Sequence, residues 1–169
     1  MININKNNLD NDPSPYLQQH KDNPVNWQVW SKKTFELAKE KKLPILLSVG
    51  YASCHWCHVM AHESFEDIET SKLMNELFIN VKVDREERPD IDYVFQSSYQ
   101  LFNQAGGGWP LTMFLDENGV PFSGGTYFPK VQQHGLPSFK EVLIKVSDVY
   151  KDQREKILKQ ANLVKESLS

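Results

Sequence analysis

The sequence predicts an α/β protein with a central mixed sheet and helices on both faces of that sheet. The apolar run 45–49 and the alternating segment 78–84 are candidate strands, and a segment with helical periodicity follows each of them, which is the order of parallel strands joined by helices. A third candidate strand, 111–115, is followed by Asp116-Glu-Asn-Gly119 and a returning strand over 120–128, which indicates a hairpin. At 169 residues, the chain has about the length of one domain.

The N-terminal part is expected to add an extra segment before the sheet. Residues 1–13 are rich in asparagine and are expected to form a flexible N-terminus, and the domain itself is expected to span 14–136. Asn23-Pro24 breaks the chain ahead of a helix whose start is signalled by Ser31 and whose charged and apolar residues continue to about Lys42.

The first core strand leads directly into the cysteine motif. Ile45-Leu-Leu-Ser-Val49 is bounded by Pro44 and Gly50 and is too short for a helix, which is typical of a buried strand. From about Cys54 onward, the spacing of apolar residues favours helical structure with an interruption near Asp67.

The second half of the chain contributes two more helices. Asp90 is suited to cap a helix that continues to the glycines at 106–108. Ser138 and Glu141 form a capping box before an amphipathic segment, so residues 137–169 are expected to be a long C-terminal helical segment. The apolar period in its tail continues through Ile157, Leu158, Ala161, Val164 and Leu168.

Composition and charge exclude several classes of protein. A hydrophobic fraction of 40%, a charged fraction of 24% and a mean hydropathy of -0.53 are typical of a soluble globular protein rather than a membrane or disordered chain. The net charge of -3 offers no global attraction to nucleic acid or to an anionic membrane. No secretory signal is recognisable at the N-terminus, so the expected location is the cytoplasm.

The only two cysteines, Cys54 and Cys57, are too few and too close together for a structural framework of disulfides. Their spacing brings both side chains to one side of a helix, where a disulfide forms with a small adjustment. A Cys-x-x-Cys pair at the point where a buried strand meets its helix is the thioredoxin-like arrangement, so the sequence predicts a thioredoxin-like fold with a redox pair.

The position of each residue in the motif suggests its part in thiol–disulfide exchange. Cys54 stands in the first helical turn, where unpaired backbone N–H groups favour its thiolate, and is the expected nucleophile. Cys57 is expected to resolve the mixed disulfide. His55 could stabilise the thiolate when it is protonated, and Trp56 offers an apolar surface for a substrate.

Pro110 is the second part of the predicted site. In a thioredoxin-like site, a cis proline before the third strand presents backbone to which an extended substrate segment can pair. Trp109-Pro110 is therefore expected to be cis, and Trp109 and Pro110 are candidate substrate-binding residues.

Four questions remain open for the motif and its surroundings. Cys54-His-Trp-Cys57-His58 also matches covalent haem attachment, but the site follows a buried strand and no export signal precedes it. Zinc could use both cysteines with His58 and His62, but one straight helix cannot surround an ion with four ligands, so the prediction is no metal and no cofactor.

Residues 83–90 could be either a recognition loop or a solvated charged turn. The four tryptophans, Trp27, Trp30, Trp56 and Trp109, could line an apolar groove, or the first two could anchor the N-terminal helix to the sheet.

Seven motifs resemble those of one family. They are Ser14-Pro-Tyr-Leu-Gln-Gln-His20, Asn23-Pro-Val-Asn-Trp27, Gly50-Tyr-Ala-Ser-Cys-His-Trp-Cys-His-Val-Met60, Glu63-Ser-Phe-Glu-Asp67, Val83-Asp-Arg-Glu-Glu-Arg-Pro-Asp90, Gly107-Gly-Trp-Pro110 and Gly125-Thr-Tyr-Phe-Pro129. Together they resemble the N-terminal thioredoxin-like domain of the spermatogenesis-associated, thioredoxin-domain proteins and their bacterial and archaeal relatives. The resemblance implies a Cys54/Cys57 redox motif and a cis proline at Pro110. It also implies a C-terminal helical-barrel domain in the full-length protein.

Two departures from active thioredoxins leave two functions open. Ser53 stands where they carry a tryptophan, and Ser48 stands where they carry a buried acid that assists proton transfer. The intact cysteine pair favours an oxidoreductase that acts on a protein or small-thiol disulfide. The two serines favour a redox-inert binding or regulatory module of a larger protein.

Overall fold

A five-stranded mixed sheet organises the protein, seen here in a computed structural model that describes residues 3–104, 106–133 and 135–152 together with residues 163 and 166. The strands are β1 Trp27–Gln28, β2 Ile45–Gly50, β3 Ile79–Asp84, β4 Leu111–Leu115 and β5 Pro121–Gly125. In the order β1-β3-β2-β4-β5, the first three strands are parallel, and β4 and β5 are antiparallel to their neighbours. The α/β class and the mixed sheet are therefore confirmed.

The helices cover both faces of this sheet. They are α1 Pro15–Gln18, α2 Lys32–Lys41, α3 His55–Met60, α4 Ile68–Leu77, α5 Pro89–Asn103 and α6 Phe139–Asp152, and a π-helical turn Ala61–Phe65 joins α3 to α4. Buried residues of α2 and α5 pack on one face of the sheet. Buried residues of α1, α3, α4 and α6 pack on the other, and the two cysteines belong to this second cluster. Among the described residues, no helix is long and apolar enough to cross a membrane.

Side-chain caps explain where several helices begin. Ser31 Oγ accepts a hydrogen bond from Thr34 N at 3.2 Å and begins α2 as expected. The interruption expected near Asp67 is also confirmed, because its carboxylate accepts a hydrogen bond from Thr70 N at 3.0 Å and begins α4 after the π-helical turn. The helix α5 differs from the expectation. Pro89 opens it, and Asp90 lies in its first turn rather than at the cap.

The segment before Ser14 makes specific contacts, although the sequence predicts flexibility over residues 1–13. Leu9 is fully buried in the cluster that contains the cysteines. Asn7 Nδ2 donates a hydrogen bond to His20 O at 2.8 Å, and Asn8 N donates one to Trp27 O at 2.8 Å. These contacts attach the segment to the turn after α1 and to β1, and both α1 and β1 are short elements that apolar periodicity does not reveal.

The hairpin strand β5 ends at Gly125 rather than at Phe128. Gly125 pairs with Thr112, so Thr126 and Tyr127 would have to pair with Leu111 and Pro110, and Pro110 has no N–H to donate. The expected hairpin is thus confirmed, but its second strand is shorter than the sequence predicts.

The last described helix belongs to the same core as the sheet. Glu141 N donates a hydrogen bond to Ser138 Oγ at 3.2 Å, which confirms the start of α6. Phe139, Leu143 and Tyr150 are buried in the cluster that contains the cysteines. The apolar positions expected to continue this helix, Ile157, Leu158, Ala161, Val164 and Leu168, lie outside the described residues.

Candidate redox site

Cys54 and Cys57 form a disulfide at the N-terminus of α3. Their Cα atoms are 5.3 Å apart, within the range that a disulfide requires. Cys54 has an extended backbone and caps the helix, and its Sγ accepts a hydrogen bond from Cys57 N at 3.2 Å. The Cys54 sulfur therefore receives the backbone N–H that is expected to favour a thiolate there once the disulfide is reduced.

The motif is divided into buried sulfurs and exposed rings. Cys54 is only 3% exposed and Cys57 only 1%, whereas His55 is exposed and Trp56 is 52% exposed. The Trp56 ring lies 5.0 Å from the ring of Tyr127, whose hydroxyl donates a short hydrogen bond to Glu63. The two cysteines are buried to a similar extent, so Cys54 is distinguished from Cys57 by its helix-capping position.

The peptide bond between Trp109 and Pro110 is cis, the isomer that the sequence analysis expects. Val49, the second-last residue of β2, pairs with Leu111 at the start of β4, so the residues beyond them meet at one end of the sheet. There the Trp109 ring stands 5.8 Å from the Tyr51 ring in an edge-to-face arrangement. Trp109 also packs against the cluster that contains both cysteines.

Arg85 is a residue of this region that the sequence analysis missed. Its guanidinium carbon lies 4.3 Å from the centre of the Trp109 ring and 4.8 Å from that of Tyr51. Its backbone N–H donates to Gly50 O at 2.9 Å, and Asp92 accepts a hydrogen bond from Trp109 Nε1 at 2.9 Å. Arg85 thus supports the two rings beside the cysteine loop, a position that the charged segment 83–90 does not reveal by its composition.

Beneath the disulfide, inward-facing residues of two neighbouring strands form a polar pair. Ser48 of β2 and Lys82 of β3 are register partners, and Lys82 Nζ donates a hydrogen bond to Ser48 Oγ at 2.8 Å. Both side chains are fully buried. Burial lowers the pKa of the Lys82 ammonium well below its ordinary value.

Aromatic rings surround the Lys82 amine. Its nitrogen lies 4.4 Å from the ring centre of Phe65, 4.9 Å from that of Trp27 and 5.2 Å from that of Tyr16. Trp27 is fully buried and packs edge-to-face on Phe65 at 5.0 Å. It is therefore part of the core that encloses Lys82 rather than part of an open groove.

Gly50 leaves room for two groups that would collide with a larger residue. A Cβ on Gly50 would stand within 2.8 Å of Tyr16 Oη, Tyr16 Cζ and Cys57 Sγ. The Tyr16 hydroxyl and the Cys57 sulfur therefore both lie against the bare backbone of Gly50. Tyr16 belongs to the Ser14-Pro-Tyr motif quoted above, which is the signal by which it could have been found.

A buried carboxylate completes this region. Asp84, the register partner of Gly50, accepts hydrogen bonds from Ser14 Oγ at 2.7 Å and from Glu86 N at 2.9 Å. Burial raises the pKa of the Tyr16 hydroxyl above its ordinary value, and the Asp84 carboxylate raises it further. Tyr16 is therefore a protonated phenol at any physiological pH.

His20 is buried on the other side of Tyr16. Their rings meet edge-to-face at 4.9 Å, and His20 Nδ1 is 3.0 Å from Asn23 Oδ1. Burial, followed by the nearby Lys82, lowers the pKa of His20 to about 2, so the imidazole is neutral at physiological pH.

The remaining candidate residues lie apart from this buried group. Trp30 packs on Phe35 and Phe95 on the opposite face of the sheet. His58 Nε2 lies 2.6 Å from Ala52 O, and the exposed His62 is 3.7 Å from Glu66. Both cysteine sulfurs are in the disulfide, and within the described part of the chain no three His, Cys, Asp or Glu side chains are grouped to hold a metal ion.

The mixed sheet carries a Cys-x-x-Cys disulfide at the point where a parallel strand meets its helix, and a cis proline precedes the neighbouring antiparallel strand. These features define a thioredoxin-like domain. The chain belongs to the family described as "Thioredox_DsbH: Protein of unknown function, DUF255", whose model matches residues 6–169. The family resemblance stated from the sequence motifs is confirmed by its relatives.

Two relatives show how much of a longer protein the chain represents. It is 44% identical over 162 residues to spermatogenesis-associated protein 20 of Rattus norvegicus, covering 96% of this chain and 20% of that protein. It is 43% identical over 157 residues to uncharacterized protein B0495.5 of Caenorhabditis elegans, covering 93% of this chain and 21% of that protein. The chain thus spans about a fifth of the length of these curated relatives.

Similarity to a solved structure supports the fold assignment. A structure described as DsbH oxidoreductase superposes with a TM-score of 0.53 at 18% identity, covering 73% of this chain and 83% of that one. The thioredoxin-like fold predicted from the position of the cysteine motif is confirmed.

Proposed function

We propose that this domain is a thiol–disulfide oxidoreductase that uses Cys54 and Cys57 to reduce or exchange disulfides. The observation that carries the proposal is the Cys54–Cys57 disulfide at the N-terminus of α3, immediately after the buried strand β2. A redox pair at this position of this fold fits that chemistry.

The exchange needs two attacks. In the dithiol form, the Cys54 thiolate attacks one sulfur of a substrate disulfide and releases the first substrate thiolate. Cys57, after losing its proton, attacks Cys54 Sγ, so that the Cys54–Cys57 bond forms and the second substrate thiolate leaves with its electron pair. Two electrons pass from the dithiol to the substrate, and a separate thiol reductant must restore the dithiol.

We assign a role in this reaction to four residues around the cysteines. His55 and Trp56 are the exposed members of the motif, so His55 is assigned to tuning the Cys54 thiolate and Trp56 to contacting the substrate. Trp109 and Pro110 are assigned to binding an extended substrate segment at the open end between β2 and β4. The substrate would be a protein disulfide or a small-thiol disulfide.

The direct test is catalysed reduction of insulin disulfides by dithiothreitol, together with trapping by Cys57→Ser. We expect turnover by the wild type and none by Cys54→Ser. We also expect Cys57→Ser to accumulate a mixed disulfide through Cys54, detectable as a mass increase that dithiothreitol removes. Absence of both turnover and trapped species would overturn the proposal.

A second candidate function is a redox-inert binding module, and a specific observation favours it. Ser48, and not an acid, lies on the face of β2 that packs against the cysteine cluster, and its hydroxyl accepts a hydrogen bond from Lys82. Under this alternative, Cys57→Ser traps nothing, while substitution of the exposed Trp56 still weakens binding of a partner protein.

The wider setting belongs to the proposal as well. We assign a domain to residues 14–136 and a helical segment to 137–169, and we propose that a helical-barrel domain follows in the full-length protein. The length of the relatives, about five times that of this chain, supports this organisation. A cytoplasmic location, where a reduced thiol pool could recycle the pair, is part of the same proposal. It includes no metal, cofactor, nucleic acid or membrane.

A further inference from the structure

The Tyr16 hydroxyl is a polar group that the disulfide form leaves unused. Tyr16 is 0% exposed, and its Oη has no hydrogen-bond partner among the described residues. Buried hydroxyl groups almost always have a partner, and one without a partner calls for an explanation, of which a redox role is one. The question is therefore which atom the hydroxyl serves in another state of the protein.

The geometry places that hydroxyl beside Cys57. Both Tyr16 Oη and Cys57 Sγ lie within 2.7 Å of the point where a Cβ on Gly50 would stand. A disulfide sulfur is a weak acceptor, whereas a thiolate is a strong one. Reduction of the disulfide would thus create, next to the hydroxyl, an acceptor that matches it.

We propose that the Tyr16 hydroxyl donates a hydrogen bond to the Cys57 sulfur once the disulfide is reduced and so stabilises the Cys57 thiolate during the resolving step. This inference rests on the proposed oxidoreductase function. The Cys57 proton leaves to solvent or to the departing substrate thiolate, and the thiolate attacks Cys54 Sγ as written above. Tyr16 keeps its own proton throughout, which agrees with the raised pKa of its hydroxyl.

Other charged and titratable groups face Tyr16 from the elements packed around it. From β3, Lys82 Nζ lies 5.2 Å from the Tyr16 ring centre, and Asp84 acts on the Tyr16 hydroxyl through its charge. His20 packs on the Tyr16 ring at 4.9 Å, and His58 of α3 acts on His20. None of these groups forms a hydrogen bond with Tyr16 Oη in the described structure, so the hydroxyl can turn toward Cys57.

The test is Tyr16→Phe, which removes one oxygen and keeps the ring. Tyr150→Phe is the matched control, since Tyr150 is also buried but its hydroxyl donates a hydrogen bond to Glu117. The protein is equilibrated with reduced and oxidised glutathione, and the dithiol fraction is measured by alkylation and mass spectrometry. We expect Tyr16→Phe to shift this equilibrium toward the disulfide by about tenfold, equivalent to about 30 mV, because the variant stabilises the reduced form less.

Kinetics separate this role from a structural one. With oxidised glutathione as the substrate, we expect Tyr16→Phe to slow decay of the Cys54 mixed disulfide by about threefold below the pH midpoint and to move that midpoint up by about one unit, because the higher pKa lowers the thiolate fraction more than it raises the nucleophilicity of the thiolate. Formation of the mixed disulfide, which depends on Cys54, should be unchanged. An equilibrium constant and a resolving rate equal to those of the wild type and of Tyr150→Phe would overturn the inference.

The inference can fail independently of the proposed function. If wild-type protein and Cys57→Ser form no mixed disulfide, the oxidoreductase proposal fails. The equilibrium of the Cys54–Cys57 pair against dithiothreitol still decides whether Tyr16 favours the reduced form. If Tyr16→Phe does not fold, the hydroxyl proton of Tyr16 is followed by NMR in the wild type. It should move downfield on reduction, and an unchanged resonance would count against the hydrogen bond.

Discussion

Lys82 Nζ donates a hydrogen bond to Ser48 Oγ across 2.8 Å, between two register partners of the parallel strands β3 and β2. A lysine is rarely fully buried without a paired charge. Here the amine has a neutral hydroxyl and three aromatic rings around it, and no ion pair involving Lys82 occurs among the described residues. Because burial lowers the pKa of Lys82, the free energy of unfolding should depend on pH.

Lys82→Met should remove an increase in stability with pH in the alkaline range. The pKa of Lys82 is lowered by burial in the folded protein, whereas the unfolded chain keeps a value near 10.4, so the unfolded state binds more protons between the two values. Stability of the wild type should therefore rise, relative to the variant, as the pH increases toward 10, by up to about 1.4 kcal/mol per pH unit. Urea unfolding of the disulfide form measures this difference.

The pH range and the control keep this measurement specific. Tyr16 has a raised pKa and acts in the opposite direction, but only above about pH 10. Lys145→Met changes an exposed lysine on α6 and should leave the pH profile unchanged. Parallel pH profiles for wild type and Lys82→Met would contradict the prediction.

His20→Gln should reduce the sensitivity of the fold to mild acid. The pKa of His20 is lowered to about 2 in the folded protein, so between that value and 6.5 only the unfolded chain takes up the proton, and stability falls as the pH drops below 6.5. Between pH 6.5 and 4.5, the wild type should lose about 1–3 kcal/mol that the variant keeps. Urea titrations at four pH values measure the loss, and His62→Gln, at a side chain that is 86% exposed, serves as the control.

Gly50→Ala should destabilise the protein because the added methyl group meets the Tyr16 hydroxyl and the Cys57 sulfur. Overpacking at such a position costs about 1–3 kcal/mol in the free energy of unfolding. Gly106→Ala is the matched control, since a Cβ at Gly106 meets nothing within 4 Å. Equal unfolding midpoints for the two variants would contradict the prediction, because they would show that Tyr16 and Cys57 shift to accommodate the methyl group at little cost in stability.

Arg85→Ala should weaken substrate binding more than it weakens the fold. The guanidinium supports Tyr51 and Trp109 beside the proposed substrate segment, so its loss should raise KM several-fold and leave kcat within about twofold. Arg88→Ala removes a nearby arginine that pairs with Asp90 at 2.9 Å on the surface, and it should change neither constant. A KM that rises equally in both variants would assign the effect to loss of charge in the loop.

The strands and the redox pair could be predicted from the sequence because their signals are local. The apolar run at Ile45 and the alternation before Asp84 define β2 and β3 without reference to the rest of the chain. The position of Cys54 after one of these strands is equally local, and it was sufficient to predict the thioredoxin-like fold.

The polar group below the disulfide could not be predicted in this way. Tyr16 lies near Gly50 and Cys57 because α1 packs against β3, and nothing in the helical period of a four-residue helix shows where it docks. Ser48 was identified as a departure from active thioredoxins, but its partner Lys82 became visible only through the register of β2 and β3. Side-chain contacts between distant segments decide these positions.

The two faces of the sheet differ in what a substitution can change. On the face packed by α2 and α5, the side chains of β2 and β3 are all aliphatic, from Ile45 to Val83. On the other face, Ser48, Gly50, Lys82 and Asp84 lie within the same two strands. Replacing residues on the first face would alter how firmly the domain holds together, while replacing those on the second would also alter how readily its sulfurs exchange electrons. Positions that affect stability alone thus alternate, along the same two strands, with positions that affect both stability and the sulfurs.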